Sequence, residues 1–539
     1  MAREHPRSAL LAIALLATAL HAAGIATSRL PAQDGLKFIR VARAFQTQPW
    51  PDVVRSSDQH PLYPALVALA EPPLALLIGH GPDTWRVAAQ LVAAIAAIGL
   101  LWPLHGITRE LFGPRVADLA ALGFVLLPLP MAVGHDTLSD SLALAAFLVS
   151  LRLGLSALRD GGWPAAVGCG LVAGLGYLAR PEALVAPLAV LAAGGWRSAR
   201  SIGLPARLAA PRLAGLAVAF LAMVGGYALV KGEVSEKLAL RQASALGPAT
   251  QGPRSARPPG FLLPPGLDDP RWDFSPKEEP AQPPRRSLGA VAADLAFQWS
   301  EGLGWILVLF AIWGLIRDRV LRARFAAGGE RPDADGAGRL LMLAYLVPFT
   351  LVLMRHEKQM GYLSHRHVLT LVLVSLPWAA AAVFLCAGRA CEVLRLGRRP
   401  ARVLATILVA LAVATGATLQ LRPSHQSRWG HRQAGEWLAA HAGPGEATLD
   451  TRGWAAFISG RPSYDYWHVR QALTDARLAY VVVGDDELRA DSRRAATLRA
   501  LLAYAAVPAV TFPDRRGGHD DGVHVFHYHR PVSWEGLRP

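Results

Sequence analysis

The stretch 34–64 places a carboxylate, several cations and a His/Tyr pair shortly after an apolar run. That run, 9–25, is suited to bring the chain to a membrane surface. The stretch begins with Asp34 and ends in the letters HPLYP at 60–64. A carboxylate at such a surface can accept a proton, and nearby cations can stabilise a phosphate group. We therefore predict a site in which Asp34 acts on a substrate carried by a lipid phosphate.

Residues 34–45 follow the pattern of a short amphipathic helix. Its apolar residues share one side, namely Phe38, Ile39, Ala42 and Phe45. Its cations lie toward the other side, namely Lys37, Arg40 and Arg43. We expect the helix to lie in the interface plane, with its apolar side toward acyl chains and its cations toward headgroups. A second interpretation gives Asp34 only the role of an N-cap.

The loop sequence resembles the first external loop of the GT-C membrane glycosyltransferases. The resemblance rests on Asp34, an aromatic residue four positions later, Ala42 and the HPLYP motif. The matching branch is the family 39 type, which includes protein mannosyltransferases and lipid A aminoarabinose transferases. Phe38 stands where that family usually has Tyr, and Gly35 stands where some branches carry a second acid. The resemblance implies a polyprenyl-phosphate sugar donor, transfer with inversion, and Asp34 as the general base.

Composition predicts a polytopic, mostly α-helical membrane protein. The chain has 539 residues, of which 52% are hydrophobic, and its mean hydropathy is +0.28. About eleven apolar stretches can be proposed as transmembrane helices. They are 8–25, 86–104, 116–133, 138–156, 164–179, 183–196, 213–231, 300–316, 340–354, 367–387 and 403–421. The short stretches 164–179 and 183–196 need not cross the bilayer independently.

The net charge of +15 is explained best by membrane orientation. Many Arg residues lie in short loops between apolar runs, as the positive-inside rule describes. No basic face is interleaved with stacking aromatics, which argues against a nucleic-acid partner. The pattern predicts a multi-pass protein of the inner (plasma) membrane with a cytoplasmic N-terminus. We expect the first apolar run to be retained, with a cleaved signal peptide as the alternative.

Two domains are predicted. Residues 1–421 form a transmembrane GT-C-like catalytic module with external loops 26–85 and 232–299, and residues 422–539 form a small extracytoplasmic α/β domain. The second loop has a helical pattern at 235–245 and a Pro-rich tract at 253–284, which indicates either a cover over the site or a simple connector. In the C-terminal domain the patterns predict helices at 433–442 and 488–506 and strands at 447–449, 478–484, 509–512 and 523–528. His524 is expected on one strand face and His527 and His529 on the other, which argues against a three-His metal site.

Ionisable and polar side chains next to the predicted spans collect on the extracytoplasmic side, and charges at such positions are functional candidates. The predicted donor-phosphate-binding residues are Arg366, Arg180 and Lys358, and the predicted cavity residues are His60, Tyr63, Asp136, Glu182, Tyr362 and His365. The letters YLSHRH at 362–367 resemble the Arg-Tyr pair of the family, with His367 replacing Tyr. Several of these residues have simpler interpretations.

The simpler interpretation of each such residue involves no substrate. Arg366 can be a headgroup anchor, Arg180 can pair with Glu182, and His60 with Tyr63 can be interfacial anchors. Asp140 is interpreted as part of the first turn of a span. Asp136 with Asp140 leaves a divalent cation as an open alternative, but no metal site is assigned and no cofactor is certain.

The sequence therefore predicts transfer of a sugar from a polyprenyl-phosphate donor to a lipid, glycan or protein acceptor outside the cytoplasm. Transfer of a preassembled polysaccharide would use the same acid and arginine. A membrane transporter or lipid flippase is the alternative of a different class. It is disfavoured because the charged groups gather on one face and no repeat symmetry is visible.

Overall fold

The computed structural model describes residues 6–159, 162–200, 202, 206–234, 271–274, 286–326, 336–421, 428–516, 519–531 and 534. The helices before the C-terminal domain are α1 (Pro6–Thr27), α2 (Gln33–Thr47), α3 (Trp50–Ser56), α4 (Leu62–Ile78), α5 (Pro82–Gly99), α6 (Leu101–Phe112), α7 (Pro114–Leu126), α8 (Pro128–Gly134), α9 (Asp140–Leu158), α10 (Gly162–Ala179), α11 (Val185–Ala199), α12 (Ala206–Lys231), α13 (Leu288–Gly302), α14 (Ile306–Ile316), α15 (Asp318–Ala326), α16 (Ala337–Met360), α17 (Leu369–Val393) and α18 (Arg398–Gln420). A short 3-10 helix, Pro181–Leu184, lies between α10 and α11. The helical pattern predicted at 235–245 and most of the Pro-rich tract lie outside the described residues.

The predicted polytopic helical fold is confirmed. Within the described ranges, eight helices are long and apolar enough to cross a membrane, or up to ten if each bent pair is one span. The bent pairs are α7 with α8, at 67°, and α13 with α14, at 111°. The stretch 183–196, which was not required to cross independently, forms α11, whose 15 residues fall short of the usual span length.

The spans differ in how far the protein covers them. In α17, 78% of the apolar window is buried inside the protein, whereas in α18 only 11% is buried. The contiguous core packs α17 against α7, α14 and the two-part span α5–α6. Because α18 exposes most of its apolar side chains, it lies at the edge of the bundle, where a bilayer would cover it.

Helix α2 packs differently from the sequence-based expectation. Its apolar side does not face acyl chains, because Phe38, Ile39 and Ala42 are buried against α4 and α5. The Phe38 ring contacts the Tyr63 ring edge-on at 5.1 Å between centroids. Helix α4 was not predicted, since Glu71, Pro72 and Pro73 interrupt its apolar pattern. This helix provides the surface that α2 covers.

The cations of α2 also contact protein rather than being left for headgroups. Arg40 lies 3.3 Å from the Asp465 carboxylate of the C-terminal domain. Arg43 lies over the rings of Trp85 and Phe457, at 5.5 and 5.2 Å from their centroids. Helix α2 is therefore held between the helical bundle and the C-terminal domain.

The C-terminal domain is an α/β unit, as predicted. Its elements are α19 (Trp429–His441), β1 (Ala447–Asp450), α20 (Trp454–Ser459), β2 (Ser463–Tyr464), α21 (Val469–Thr474), β3 (Leu478–Gly484), α22 (Asp485–Arg489), α23 (Arg493–Ala505), β4 (Ala506–Arg516) and β5 (His519–Tyr528). The sheet order is β2-β1-β3-β5-β4, with β1 parallel to β2 and β3, and β5 antiparallel to β3 and β4. The helix predicted at 488–506 is two helices, because Ser492 caps a new helix by accepting a hydrogen bond from the Ala495 amide.

A close approach between two backbones fixes α2 on the bundle. A Cβ atom added at Gly35 would lie 2.9 Å from the carbonyl oxygen of Thr137 and closer still to its hydroxyl. We expect Gly35→Ala to lower the free energy of unfolding by about 1–3 kcal/mol, because the backbone must shift. Gly226→Ala in α12 is the matched control, since no atom lies within 4 Å of its added Cβ. Thermal unfolding in detergent checks this, and equal midpoints for the two variants would contradict it.

Candidate active site

The start of α2 is held by the turn that follows α8. The Ala32 amide donates to Asp136 Oδ1 at 3.1 Å and to Thr137 Oγ1 at 2.9 Å. Asp136 Oδ1 also accepts a hydrogen bond from the Thr137 amide at 2.7 Å. Asp136, predicted as a cavity residue, therefore orients the backbone two residues before Asp34. Asp34 follows as the second residue of α2.

A chain of opposite charges connects Asp34 to three other parts of the bundle. Asp34 Oδ2 accepts a hydrogen bond from Arg366 Nη2 at 2.8 Å. Arg366 Nη1 lies 3.8 Å from Asp140 Oδ2, and the other oxygen of Asp140 accepts a hydrogen bond from Arg180. Arg180 Nε is 3.6 Å from Glu182 Oε2. The structure thus brings four predicted site residues together around Asp140. They are Asp34, Arg366, Arg180 and Glu182.

The chain contains three carboxylates and two guanidinium groups. Lys37 Nζ lies 3.9 Å from Asp34 Oδ1 and supplies the third positive charge. The Asp140 side chain is only 6% exposed, whereas that of Asp34 is 49% exposed. The accessible carboxylate at one end of the chain is therefore Asp34, and Asp140 is the buried carboxylate that both arginines share.

The environment of Asp34 favours its charged form. Burial acts to raise the pKa of the carboxyl, but the hydrogen bond and charge of Arg366, together with Lys37 and Arg180, outweigh it. The pKa of Asp34 therefore lies below its ordinary value. An ionised carboxylate with one accessible side can accept a proton from a bound hydroxyl group.

His60 and Tyr63 lie in packed aromatic clusters. Tyr63 is fully buried, and its hydroxyl donates to the Ala89 carbonyl oxygen at 2.8 Å. His60 is buried between the rings of Tyr177 and Tyr227, with centroids 5.4 and 5.5 Å away. This geometry gives both residues a packing role that supports α4, instead of an open position in a cavity.

The remaining predicted residues surround the Arg366 loop. Lys358 lies in the last turn of α16 and is exposed, as is His365. Tyr362 is 52% exposed, and its ring lies 6.0 Å from that of His356. Exposed cationic and aromatic side chains in this loop can contact a substrate that reaches Arg366.

Asp140 and His367 were not predicted to belong to the site. Asp140 was interpreted as a first-turn acid of its span, and the burial of its partners was not visible in the sequence. His367 lies beside the loop, with its ring 4.9 Å from that of His356. Burial and the charge of Arg180 lower the pKa of His367 to about 4, so this imidazole is neutral near pH 7. A histidine next to Arg366 was the available sequence signal.

A metal site is not apparent in the ranges that the structure describes. Among these residues, no three His, Cys, Asp or Glu side chains are grouped so that they could hold a metal ion. Asp136 binds backbone amides, and Asp140 pairs with arginines. His524 and His527 lie at strand positions of opposite parity on β5, so they point to opposite faces of the sheet.

Comparisons with known proteins bear on the fold of the chain. Residues 64–238 match the sequence model of the dolichyl-phosphate-mannose-protein mannosyltransferase family. The chain is similar in structure to ArnT from Cupriavidus metallidurans bound to undecaprenyl phosphate, with a TM-score of 0.55, 14% identity and 98% of each chain covered. It is also similar to the archaeal oligosaccharyltransferase AglB from Archaeoglobus fulgidus, in complex with an inhibitory peptide and a dolichol-phosphate. That match has a TM-score of 0.55, 12% identity, and coverage of 98% of this chain and 74% of AglB. No curated protein sequence matches the chain.

The chain therefore has the fold of the GT-C membrane glycosyltransferases, as the resemblance implied. The family match begins at Pro64, the last residue of the HPLYP motif, and extends over α4 to α12. Asp34 and Arg366 lie outside the matched range, so their roles depend on the geometry described above.

The shared buried carboxylate generates a prediction on stability. We expect Asp140→Asn to lower the free energy of unfolding by about 3 kcal/mol, because it removes the charge that two arginines share in a poorly solvated place. Asp52→Asn is the matched control, since Asp52 and its partner Arg55 are both largely exposed on α3. That control should change stability by at most about 0.5 kcal/mol. Chemical unfolding of both variants in detergent measures the difference, and a similar small effect in both would contradict the assignment.

Proposed function

We propose that this protein transfers a sugar from a polyprenyl-phosphate donor to an acceptor outside the cytoplasm, with inversion at the anomeric carbon. The observation that carries the proposal is the 2.8 Å contact between Asp34 and Arg366. It joins a carboxylate able to accept a proton to a cation suited to bind a phosphate. The fold shared with ArnT and AglB supports the same class of reaction.

The reaction divides between these two side chains. Asp34 accepts the proton of the acceptor hydroxyl as its oxygen forms a bond to the anomeric carbon. The bond between that carbon and the phosphate oxygen breaks, and the electron pair leaves with the polyprenyl phosphate. Arg366 stabilises the charge that develops on the departing phosphate through its planar, two-pronged donor geometry.

Donor binding also activates the base in this scheme. Arg366 holds the pKa of Asp34 low, and a low pKa makes a carboxylate a weaker base. A phosphate competes for the same guanidinium group, and its arrival draws Arg366 away from Asp34. Asp34 then loses the contact with Arg366 that lowers its pKa, and its pKa rises. The carboxylate becomes a stronger base when the donor is in place.

Supporting roles follow from the other contacts. Arg180 is bound to Asp140 and Glu182, so we assign it to holding Asp140, which in turn orients Arg366. Lys358, Tyr362 and His365 are exposed near Arg366 and provide further donor or acceptor contacts. Glu182 pairs with Arg180, and its side chain, 41% exposed, can also contact an acceptor.

The proposed partners are a polyprenyl-phosphate sugar and a lipid, glycan or protein acceptor. Dolichol-phosphate and an inhibitory peptide are bound in the AglB structure, and undecaprenyl phosphate is bound in that of ArnT. The distribution of arginines supports a multi-pass protein of the inner membrane, with the site and the C-terminal domain on the extracytoplasmic side.

The base assignment predicts the behaviour of Asp34→Asn. We expect this variant to fold and bind undecaprenyl phosphate, but to lose at least about a hundredfold in kcat, because the amide cannot accept the proton. The assay uses protein in nanodiscs, cell-envelope extract as acceptor, and undecaprenyl phosphates carrying mannose, glucose, N-acetylglucosamine or aminoarabinose. Release of undecaprenyl phosphate measures turnover, and Asp52→Asn is the control.

Three results would oppose this proposal. Full turnover by Asp34→Asn would remove Asp34 as the base. Failure of the wild-type protein to turn over any donor of the panel would count against the donor class. Movement of an intact donor across a sealed vesicle, without chemical change, would favour a flippase.

The phosphate role predicts a graded loss of binding at Arg366. We expect Arg366→Ala to weaken the binding of undecaprenyl phosphate about tenfold or more, and Arg366→Lys to weaken it less, because Lys keeps the charge but not the two-pronged geometry. Arg40→Ala is the control, since Arg40 pairs with Asp465 on the far side of α2. Titration in nanodiscs measures the affinity, and wild-type affinity in both Arg366 variants would exclude the role.

A further inference from the structure

Five residues, 28–32, connect the first span to α2, and the last four of them are each held by a specific contact. These four residues, 29–32, are called the connector. On the bundle side, the Ala32 amide donates to Asp136 and Thr137. The Leu30 side chain is almost fully buried. The Leu30 carbonyl oxygen accepts a hydrogen bond from Ser28 Oγ at 3.3 Å. Two further contacts to the connector backbone come from the C-terminal domain.

Trp454 contacts the connector from outside the bundle. Its indole Nε1 donates a hydrogen bond to the Pro31 carbonyl oxygen at 3.0 Å. Its ring, itself buried, packs with Leu30 and Ile458 in one apolar cluster. A residue of the C-terminal domain thus binds a backbone group only three positions before Asp34. The adjacent Gly453 lies against Leu36 in the first turn of α2, because a Cβ added there would be 3.3 Å from Leu36 Cδ1.

Arg432 adds a second contact from the same domain. Its Nη1 donates to the Arg29 carbonyl oxygen at 2.9 Å. The same guanidinium group binds Asp83 in the first turn of α5 in a two-pronged manner, at 3.1 and 2.9 Å. Arg432 therefore joins the connector, a membrane-spanning helix and the C-terminal domain at one point. Such a junction limits movement between the domain and the bundle.

These contacts have a consequence for the reacting groups. Asp34 is in the first turn of α2, and its bond to Arg366 depends on where that turn begins. Within the connector backbone, the bundle side holds the Ala32 amide, and Ser28 donates to the Leu30 carbonyl oxygen. Trp454 and Arg432 hold the carbonyl groups of Pro31 and Arg29. Loss of these two outer contacts loosens the connector immediately before the first turn of α2. Catalysis is sensitive to displacements of this kind, since about 1 Å costs up to about a hundredfold in rate.

We propose that the C-terminal domain sets the position of the Asp34 carboxylate, with Trp454 as the positioning residue and Arg432 as its second support. This inference rests on the proposed function, in which Asp34 is the base. Trp454 contacts no substrate in this scheme and acts through the Pro31 backbone. The domain is then part of the catalytic apparatus even though its own polar groups do not react.

Trp454→Phe tests the proposal in the full-length protein in nanodiscs. Phe keeps a buried ring but removes the hydrogen bond to Pro31. With the undecaprenyl-phosphate sugar that the wild-type protein turns over, we expect kcat per folded molecule to fall about tenfold. The KM for the donor should stay within about twofold, because Arg366 is unchanged. Trp437→Phe is the matched control, since Trp437 packs on His441 and Tyr480 within the domain, away from the connector.

The pH profile provides a readout that general destabilisation would not move. Activity needs the Asp34 carboxylate and is lost as the pH falls through its pKa. Arg366 holds that pKa low, so a displaced Asp34 has a higher pKa. The acid limb of kcat/KM should therefore move to higher pH in Trp454→Phe and stay in place in Trp437→Phe. Arg432→Gln should have the same two effects as Trp454→Phe, namely a lower kcat and an acid limb at higher pH.

The outcomes separate this inference from the proposed function. Wild-type kcat and acid limb in Trp454→Phe, beside an inactive Asp34→Asn, would overturn the positioning role alone. A loss of activity that only follows the folded fraction, with kcat per folded molecule unchanged, would overturn it as well. Turnover by Asp34→Asn would instead remove the proposed base, whatever Trp454→Phe does.

Discussion

The structure depends on one buried carboxylate shared by two arginines. Asp140 is poorly solvated and would be costly as an isolated charge, so it requires positive partners. Arg180 follows the last residue of α10, and Arg366 lies in the loop before α17. Arg366 then reaches Asp34, which lies 332 positions earlier in the chain. The need to pair one buried charge thus brings the start of α2, the start of α9 and two loops to the same place.

The same arrangement explains how a stable charge cluster can also be reactive. An arginine that binds both an exposed and a buried carboxylate keeps a fixed position without a ligand. Because its exposed partner can be replaced by a phosphate, the cluster can exchange one anion for another at little cost in unpaired charge. In the proposed scheme, Asp140 keeps its arginines throughout, while Asp34 is released to act as a base. In this chain of charges, the buried Asp140 therefore serves stability, and the exposed Asp34 serves the proposed activity.

The sequence predicted the parts of this account that local chemistry determines. Asp34, Arg180 and Arg366 were identified because charges beside apolar spans are costly and rarely incidental. Asp140 was not, since a first-turn acid is already explained by its own helix. Tyr63 was predicted to line a cavity, but it packs against Phe38 of α2 and donates to the Ala89 carbonyl oxygen of α5. Its own helix, α4, was concealed in the sequence by Pro72 and Pro73. The apolar side of α2 suggested lipid because a sequence pattern does not distinguish acyl chains from another helix.

The contribution of the C-terminal domain was also beyond the sequence. Trp454 and Arg432 bind backbone carbonyl groups. Every residue type has such a group, so the sequence at the accepting positions gives no sign of these contacts. Their effect depends on the separate folding of a domain more than 400 positions away. The helical bundle supplies the charges, and the domain limits where the first turn of α2 can lie. A GT-C fold with a compact outer domain thus gains a second support for its accessible carboxylate.

An experimental structure of the protein with undecaprenyl phosphate would show whether Arg366 exchanges Asp34 for a phosphate. We expect the Arg366 guanidinium group within about 3 Å of a phosphate oxygen. We also expect separation of Arg366 from Asp34, while Arg366 and Arg180 remain beside Asp140. An intact Asp34–Arg366 pair, with the phosphate bound elsewhere, would contradict this exchange.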